Sequence, residues 1–254
     1  MNVLIIGVGT VGSNLEKELA VLRPHLYDKY KGIDTRQKGI RYDAAFVCVD
    51  APMTEESDCD ISEVLNAITE NDADVFVVKS TVLPGTTERL ADMTGKNVIF
   101  CPEYYGASQH CNNFRFPFTI LGGDRESCVK VIQILQHVYD GTHEFRITDP
   151  RTAELAKYME NSYLAMKVSF CQQFFDIAEK TGVCYEELRE LFVLDPRVEP
   201  SHTFVYRDTP YWDSHCLNKD VRAIAGTYDA RLLLDMIEFN ESRKMMKQKW
   251  RKQK

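Results

Sequence analysis

Three features of the sequence predict an α/β protein in which a doubly wound parallel sheet is followed by an all-helical domain. Short apolar runs alternate with helical patterns between residues 3 and 139. The first run leads directly into a glycine-rich turn that opens a helix. From Pro150 onward strand-like runs stop and helical periodicity takes over. Alternation of this kind builds parallel βαβ units, because each parallel pairing needs a crossover, usually a helix, to bring the chain back.

Val3–Ile6 is a short apolar run suited to a strand covered on both faces. It runs into GVGTVG at residues 7–12 and then into SNLEKELAVL, so a GxGxxG turn stands between strand and helix. Gly7 permits the tight turn, Gly9 lets a pyrophosphate approach the backbone, and Gly12 lets the helix sit close on the strand. The helix start offers N–H groups and a positive dipole end to phosphate. A second strand, His25–Tyr27, ends at Asp28, ~20 residues on, where an acid would meet the ribose. A carboxylate there accepts from both ribose hydroxyls and repels a 2′-phosphate, which favours NAD over NADP. Further strand-like runs are AAFVCV at 44–49, DVFVVKS at 74–80, NVIF at 97–100 and FTIL at 118–121. Helical patterns fill Ser62–Thr69, Thr86–Met93 and Arg125–Tyr139 between them. The stretch from Asp28 to Tyr42 is short for a helix and a strand, and reads as a crossover trimmed to a loop. Residues 1–148 are thus expected to form a Rossmann-like NAD-binding domain.

Ligands in such sheets lie at the carboxyl ends of the strands. Three ends here are polar or turn-rich: Asp50-Ala51-Pro52, Ser80 to Gly85, and Cys101-Pro102-Glu103. Thr81 can hold a water or a substrate hydroxyl, and a partly desolvated Glu103 can act as a general base. Residues 149–254 form the helical domain. Its first helix runs for some thirty residues and stops at Gly182, a C-cap residue. Glu160, Asn161 and Lys167 fall on it; Asn161 and Lys167, six apart, lie roughly 120° out of alignment. A helix of this length suits a dimer interface. A shorter helix follows at Tyr185–Leu194, then the irregular run from Leu194 to His215. The chain closes on Ala230–Lys252, with Leu232, Leu233, Met236, Ile237 and Met245 as its apolar stripe.

Composition narrows the function. The chain has 254 residues and a net charge of −7, which disfavours nucleic acid as a partner; the basic tail MMKQKWRKQK reads as a helix end. No run approaches the ~20 apolar residues of a membrane span, and the N-terminus lacks the flanks of a signal peptide. The eight cysteines are scattered, with no CxxC and no histidine cluster, so neither a metal site nor a disulfide framework is expected. A reducing cytoplasm fits this usage.

An ordered series of motifs resembles the UDP-glucose and GDP-mannose 6-dehydrogenases over nearly the whole chain. GVGTVG resembles their GxGYVG, AAFVCVDAP their strand ending in VxTP, VVKSTVLPGTTERL their KSTVPVGT, and CPEYYGAS their NPEFLREG. AELAKYMENSYLAMKVSF is similar to AELxKLxxNxxLAxKIxF, LDPRVEP to DxRIG, and HCLNKDVRAI to GGSCLPKDxxAL. The resemblance implies two NAD-dependent oxidations of a nucleotide-sugar C6 hydroxyl, most directly UDP-glucose to UDP-glucuronate; the long Pro150–Gly182 helix is expected to build a homodimer. Cys216 would attack the intermediate aldehyde, and the thiohemiacetal would yield a thioester that water cleaves. Asp220 and Thr81 would position that water and Glu103 would assist. Lys167 would stabilise the oxyanion beside Asn161, and Arg197 would reach the substrate phosphate of a neighbouring subunit. Gly7, Gly9, Thr10, Val11, Gly12, Asp28, Val49, Ser80 and Thr81 would line the cofactor; Glu103, Tyr104, Asn161, Lys167 and Arg197 would line the substrate. A cation beside a developing oxyanion stabilises it, and a nearby cation also activates a thiol.

The sequence departs from the family pattern in four places. Ser214-His215 replace the glycine pair before the cysteine, YGAS replaces LREG, and CLNKD replaces CLPKD. The resemblance also ends at a segment similar to the family's connecting helix, so the carboxyl-terminal domain that closes over the nucleotide is expected to be missing. Two other functions therefore stand beside the two-step oxidation: a one-step hydroxyacid-type dehydrogenase using Lys167, and a non-catalytic dinucleotide- or partner-binding protein. The joint presence of Cys216, Lys167, Asp220, Glu103 and Thr81 favours the two-step reading.

Overall fold

The computed structural model describes residues 1–54, 59–105 and 116–252, without the side chains of 246–252. Gly106-Ala107-Ser108 of the YGAS segment, Cys111 and the side chains of the basic tail from Met246 lie outside the described residues. The chain forms two compact units, Met1–Lys157 and Tyr158–Lys254. Their division lies past the 148/149 boundary read from the sequence, inside a helix that starts at Pro150. The reason is local: in the first turns of that helix Ala153 and Glu154 are fully buried, Ala153 within the apolar core of the first unit.

The first unit holds one sheet. Its strands are β1 (Val3–Ile6), β2 (His25–Asp28), β3 (Ile33–Asp34), β4 (Ala44–Val47), β5 (Phe76–Val78), β6 (Val98–Phe100), β7 (Phe118–Gly122) and β8 (Glu144–Thr148). They lie in the order β3-β2-β1-β4-β5-β6-β7-β8. Helices α1 (Thr10–Glu18), α2 (Ser62–Thr69), α3 (Thr86–Thr94) and α4 (Arg125–Leu135) connect them. The five adjacent strands β2, β1, β4, β5 and β6 run parallel, as expected for a Rossmann-like sheet. Two pairings depart from the all-parallel expectation. β3 folds back antiparallel on β2, because only four residues separate them and a parallel crossover needs a dozen or more. β7 runs antiparallel to β6 and carries β8 parallel beside it. β8, Glu144–Thr148, alternates exposed and half-buried residues at the sheet edge and has no apolar run to announce it. The trimmed Asp28–Tyr42 connection does lack a helix.

Alternate residues of the central strands fill two cores. Leu4, Ile6, Val47, Phe76, Val78 and Phe100 face α2 and α3 through Val64, Ile68 and Leu90. Val3, Ile5, Phe46, Val77 and Ile99 face α1 and α4 through Leu15, Leu19, Val131 and Ile134. The period-2 alternation of strands buried on both faces makes both sets apolar.

The second unit is helical. It contains the remainder of α5 (Pro150–Thr181), then α6 (Tyr185–Phe192), α7 (His215–Thr227) and α8 (Arg231–Lys252). Asp149 starts α5 by accepting from the Thr152 amide at 2.9 Å, and Gly182, at φ 73°, ends it. Trp212 is buried in the irregular run before α7 and packs with Ala165, Val221 and Met236. Asn240, on α8 and fully buried, holds that tryptophan like a strand partner. It accepts from the Trp212 amide at 2.9 Å and donates to the Trp212 carbonyl at 3.0 Å. The indole N–H donates to Ser169 Oγ at 2.9 Å. Leu233, Met236 and Ile237 of the expected α8 stripe pack inward, whereas Leu232 and Met245 are exposed. Among the described residues no helix is long and apolar enough to cross a membrane, and no group of three His, Cys, Asp or Glu is placed to hold a metal.

Candidate active site

In the first unit the expected cofactor residues gather at the carboxyl ends of the central strands, where β1 lies between β2 and β4. That is the point at which the strand order reverses and a crevice opens. Gly7 has φ 87°, and a Cβ there would meet the Cys48 carbonyl at 2.8 Å. A Cβ on Gly12 would fall 1.9 Å from the Gly7 carbonyl oxygen, so no side chain fits between turn and helix. Gly9, by contrast, has open space where its Cβ would stand, which suits a ligand's close approach to the backbone. Thr10 is exposed and Val11 half-buried in the first turn of α1.

Asp28, at the end of β2, is fixed by three amides: Val8 N–H at 2.8 Å on Oδ2, and Tyr30 and Lys31 N–H at 3.0 Å on Oδ1. Burial acts to raise this carboxyl, but the amides of Val8, Lys31 and Tyr30 outweigh it and hold the group below the usual carboxylate range. A carboxylate has room for about four donors. With three present among the described residues, the ionised group retains room for a ribose hydroxyl on Oδ2. Ser80 Oγ donates to the Val49 carbonyl at 2.5 Å, joining two further expected cofactor residues across β4 and β5. Open space at Gly9, an amide-rich helix start and an anionic Asp28 fit the pyrophosphate and ribose of NAD.

Thr81 follows Ser80 in a turn secured from an unexpected side. Glu154, fully buried on α5, accepts from Gly85 N–H at 2.6 Å, Thr87 N–H at 2.8 Å and Thr87 Oγ at 2.6 Å. Burial raises the Glu154 carboxyl despite these donors. Glu103 is buried, and its Oε2 accepts from the Tyr105 amide at 2.6 Å. Tyr104 packs against Phe116 and Phe118, with the Lys157 ammonium 4.6 Å from its ring centre.

In the second unit Asn161 donates from Nδ2 to Asp220 Oδ2 at 2.6 Å, both residues being buried. Lys219 forms an ion pair with the other oxygen at 2.6 Å, which offsets the cost of enclosing the carboxylate. Cys216 lies four residues before Asp220, on the same face of α7 and in its first turn. Ser214 caps that helix by accepting from the Leu217 amide at 3.3 Å. Cys216 is exposed, at a helix start where backbone N–H groups and dipole favour negative charge. The sequence reading placed no helix here. Its stretch is polar at the start and carries no apolar run, and its signal was the Ser214 cap.

Lys167 is held by the irregular run before α7. Its ammonium donates to the Glu199 carbonyl at 2.7 Å, to Glu199 Oε2 at 2.8 Å and to Ser201 Oγ at 3.3 Å. Arg197 is exposed and pairs with Asp195. A buried lysine that the sequence reading passed over, Lys157, stands four residues before Asn161 and therefore on the same face of α5. The i, i+4 spacing was the signal that would have found it.

Two family models match the chain. Residues 31–143 match the NAD binding domain of the UDP-glucose/GDP-mannose dehydrogenase family, and residues 151–242 match the central domain of the same family. The chain belongs to this family. Its members are NAD-dependent nucleotide-sugar dehydrogenases, and NAD is the cofactor. A UDP-glucose 6-dehydrogenase of Rickettsia prowazekii is 28% identical over 219 residues, which is 80% of this chain and 50% of that protein. A UDP-N-acetyl-D-mannosamine dehydrogenase of Methanococcus vannielii is 26% identical over 224 residues, 83% of this chain and 51% of that protein. The chain thus spans about half the length of the curated relatives it matches. The solved UDP-glucose dehydrogenase of Pyrobaculum islandicum shares the fold, with a TM-score of 0.77 at 22% identity over 95% of this chain and 68% of that one.

Proposed function

We propose that this protein oxidises the C6 hydroxyl of a UDP-sugar to a carboxylate in two steps, with UDP-glucose to UDP-glucuronate as the reaction its motifs favour. The observation that carries the reading is the α7 helix start. An exposed Cys216 stands one turn before a buried Asp220 that Asn161 and Lys219 fix. NAD, when bound, supplies the hydride acceptor for both oxidations. Cys216 Sγ adds to the aldehyde carbon of the intermediate, forming the C–S bond while the carbonyl oxygen becomes an oxyanion. The second oxidation leaves a thioester on Cys216. Thr81 and Asp220 position a water, Glu103 takes its proton, and the C–S bond breaks to return the thiol and release the acid. For the oxyanion we favour Lys157 over Lys167, since Lys157 shares the Asn161 face whereas Glu199 holds the Lys167 ammonium. Arg197 remains the proposed contact to substrate phosphate. The test is purified protein with NAD and a panel including UDP-glucose and UDP-N-acetylmannosamine. Two NADH per acid are expected; one NADH per product, or none with any sugar nucleotide, contradicts the reading.

Asp28 is proposed to set the preference for NAD over NADP. Replacing it with alanine should narrow the ratio of the two affinities by about tenfold or more, the worth of a hydrogen bond to a charged group. Equal affinities in the unmodified protein would refute this, as measured by fluorescence titration with NADH and NADPH.

A homodimer built on α5 is also proposed. Met159, Tyr163, Phe170, Phe174 and Ile177 stand exposed at helical spacing along it. Phe192 of α6 extends the patch, its ring 6.1 Å from that of Phe170. A continuous apolar stripe of this kind marks an interface, and a second copy offers the same stripe. Sedimentation at micromolar concentration should give a dimer that Phe170→Glu dissociates; a monomeric unmodified protein would sink the proposal.

A further inference from the structure

A carboxylate network in the sheet unit stands outside the roles assigned so far. Glu18, the last residue of α1, accepts hydroxyl hydrogen bonds from Tyr105 on one oxygen and from Tyr139 on the other. These partners lie 87 and 121 residues away in sequence. Burial first, and then the Glu18 charge, push both tyrosine hydroxyls far above their ordinary range. They therefore remain protonated donors at any physiological pH, and Glu18 is the acceptor. Burial disfavours the nearby Lys79 ammonium, but Cys101, Cys48 and Glu18 outweigh it, so a positive charge persists beside the network. Tyr139 is fixed independently: its ring stacks on His143 at 3.9 Å, and His143 Nε2 shares a hydrogen bond with Thr119 Oγ1 at 2.8 Å. Glu18 is thus an anchored acceptor.

What Glu18 anchors is Tyr105, and the Tyr105 amide is the donor to Glu103 Oε2 at 2.6 Å. The residue before Glu103 is also held, since Lys79 Nζ donates to the Pro102 carbonyl at 3.2 Å. A general base works only if its free lone pair points at the proton it takes, so the group that orients its other oxygen matters to the rate. The NPEFLREG segment that CPEYYGAS resembles has leucine where Tyr105 stands, and leucine has no hydroxyl to anchor. We propose that Glu18 is a positioning residue: through the Tyr105 hydroxyl it fixes the amide that orients the Glu103 carboxylate. The inference rests on the role of Glu103 proposed above.

The test compares the full chain with Glu18→Gln and Tyr105→Phe, using two readouts that need no turnover and one that does. NMR on isotope-labelled protein follows exchange of the residue 105 amide and the carboxyl carbon signal of Glu103. Mass spectrometry follows the acyl adduct on Cys216 during turnover with NAD and UDP-glucose. Both variants should exchange that amide about tenfold faster or more and should shift the Glu103 signal. Acid release should slow by roughly 10-fold to 10²-fold, more than the first oxidation does, so that the Cys216 adduct accumulates. Unchanged exchange and an unchanged Glu103 signal in folded variants overturn the proposal whatever the activity. Faster exchange with unaltered acid release and no adduct also overturns it. If the unmodified protein reduces no NAD with any sugar nucleotide, the proposed function fails, and the two NMR readouts still decide whether Glu18 orients Glu103.

Discussion

Replacing Cys216 with alanine is expected to abolish acid formation while leaving NAD binding intact. The two oxidations make different demands. The first removes hydride from an alcohol carbon that is already tetrahedral and needs no thiol. The second starts from a planar aldehyde, which has no such carbon until a nucleophile adds, and Cys216 supplies that nucleophile. Removal of a covalent nucleophile costs on the order of 10³ in rate or more, so Cys216→Ala should release at most a trace of aldehyde. Cys216→Ser should trap a slow ester. The other described cysteines are poor substitutes. Cys128 is fully buried, and its enclosure pushes its thiol up to about 11. Burial likewise raises Cys171. Cys184 is exposed but lies just before α6, where its thiol donates to Glu186 at 3.3 Å. Cys184→Ser is therefore expected to turn over normally. Carboxylate production by Cys216→Ala at the unmodified rate would exclude the thioester route altogether.

Lys157→Ala should slow both oxidations by roughly 10² to 10³, the usual effect of removing one donor to a developing oxyanion. Lys167→Ala should not. The Lys167 ammonium is paired with Glu199, whose carboxylate is half exposed. Burial acts to raise the Glu199 carboxyl, but Lys167 and Ser201 outweigh it and hold the group below its usual range. Lys167 is largely enclosed, but Glu199 can rehydrate when the lysine is removed, so the pair is worth on the order of 1 kcal/mol. Its loss should register as a small drop in thermal midpoint with kcat nearly unchanged. Steady-state kinetics of the two variants side by side decide the assignment: a large kcat loss in Lys167→Ala with a small one in Lys157→Ala would return the oxyanion role to Lys167.

Much of the sheet unit was legible because its signals are local. Val3–Ile6 and Ser62–Thr69 were readable from apolar runs and spacing, and in the helical unit the Gly182 stop from a cap residue. β8 was not, since an exposed edge strand such as Glu144–Thr148 carries little apolar signal. The reversal at β7 depends on which neighbour a strand finds, which no local pattern encodes. In the helical unit the thiol and the acid were readable from one motif. Lys167 was assigned to the oxyanion from the resemblance alone, although its spacing already set it about 120° from Asn161, whereas Lys157 is one turn from Asn161 on α5. The partners that matter most for orientation, Glu18 to Tyr105 and Asn240 to Trp212, are separated by 87 and 28 residues and have no signature in sequence.

The Asn240 clamp on Trp212 also orders events during synthesis. The segment entering α7 is fastened by an amide that follows it by 28 residues and by a serine that precedes it by 43. Asp220 pairs with Asn161, 59 residues earlier. Contacts this far apart in sequence form late, because the intervening chain must first be drawn together at an entropic cost. A nascent chain released only as far as α7 carries Cys216 on a helix whose approach is still unfastened. Cys216 therefore gains its fixed setting only after α8 has left the ribosome and Asn240 has reached Trp212.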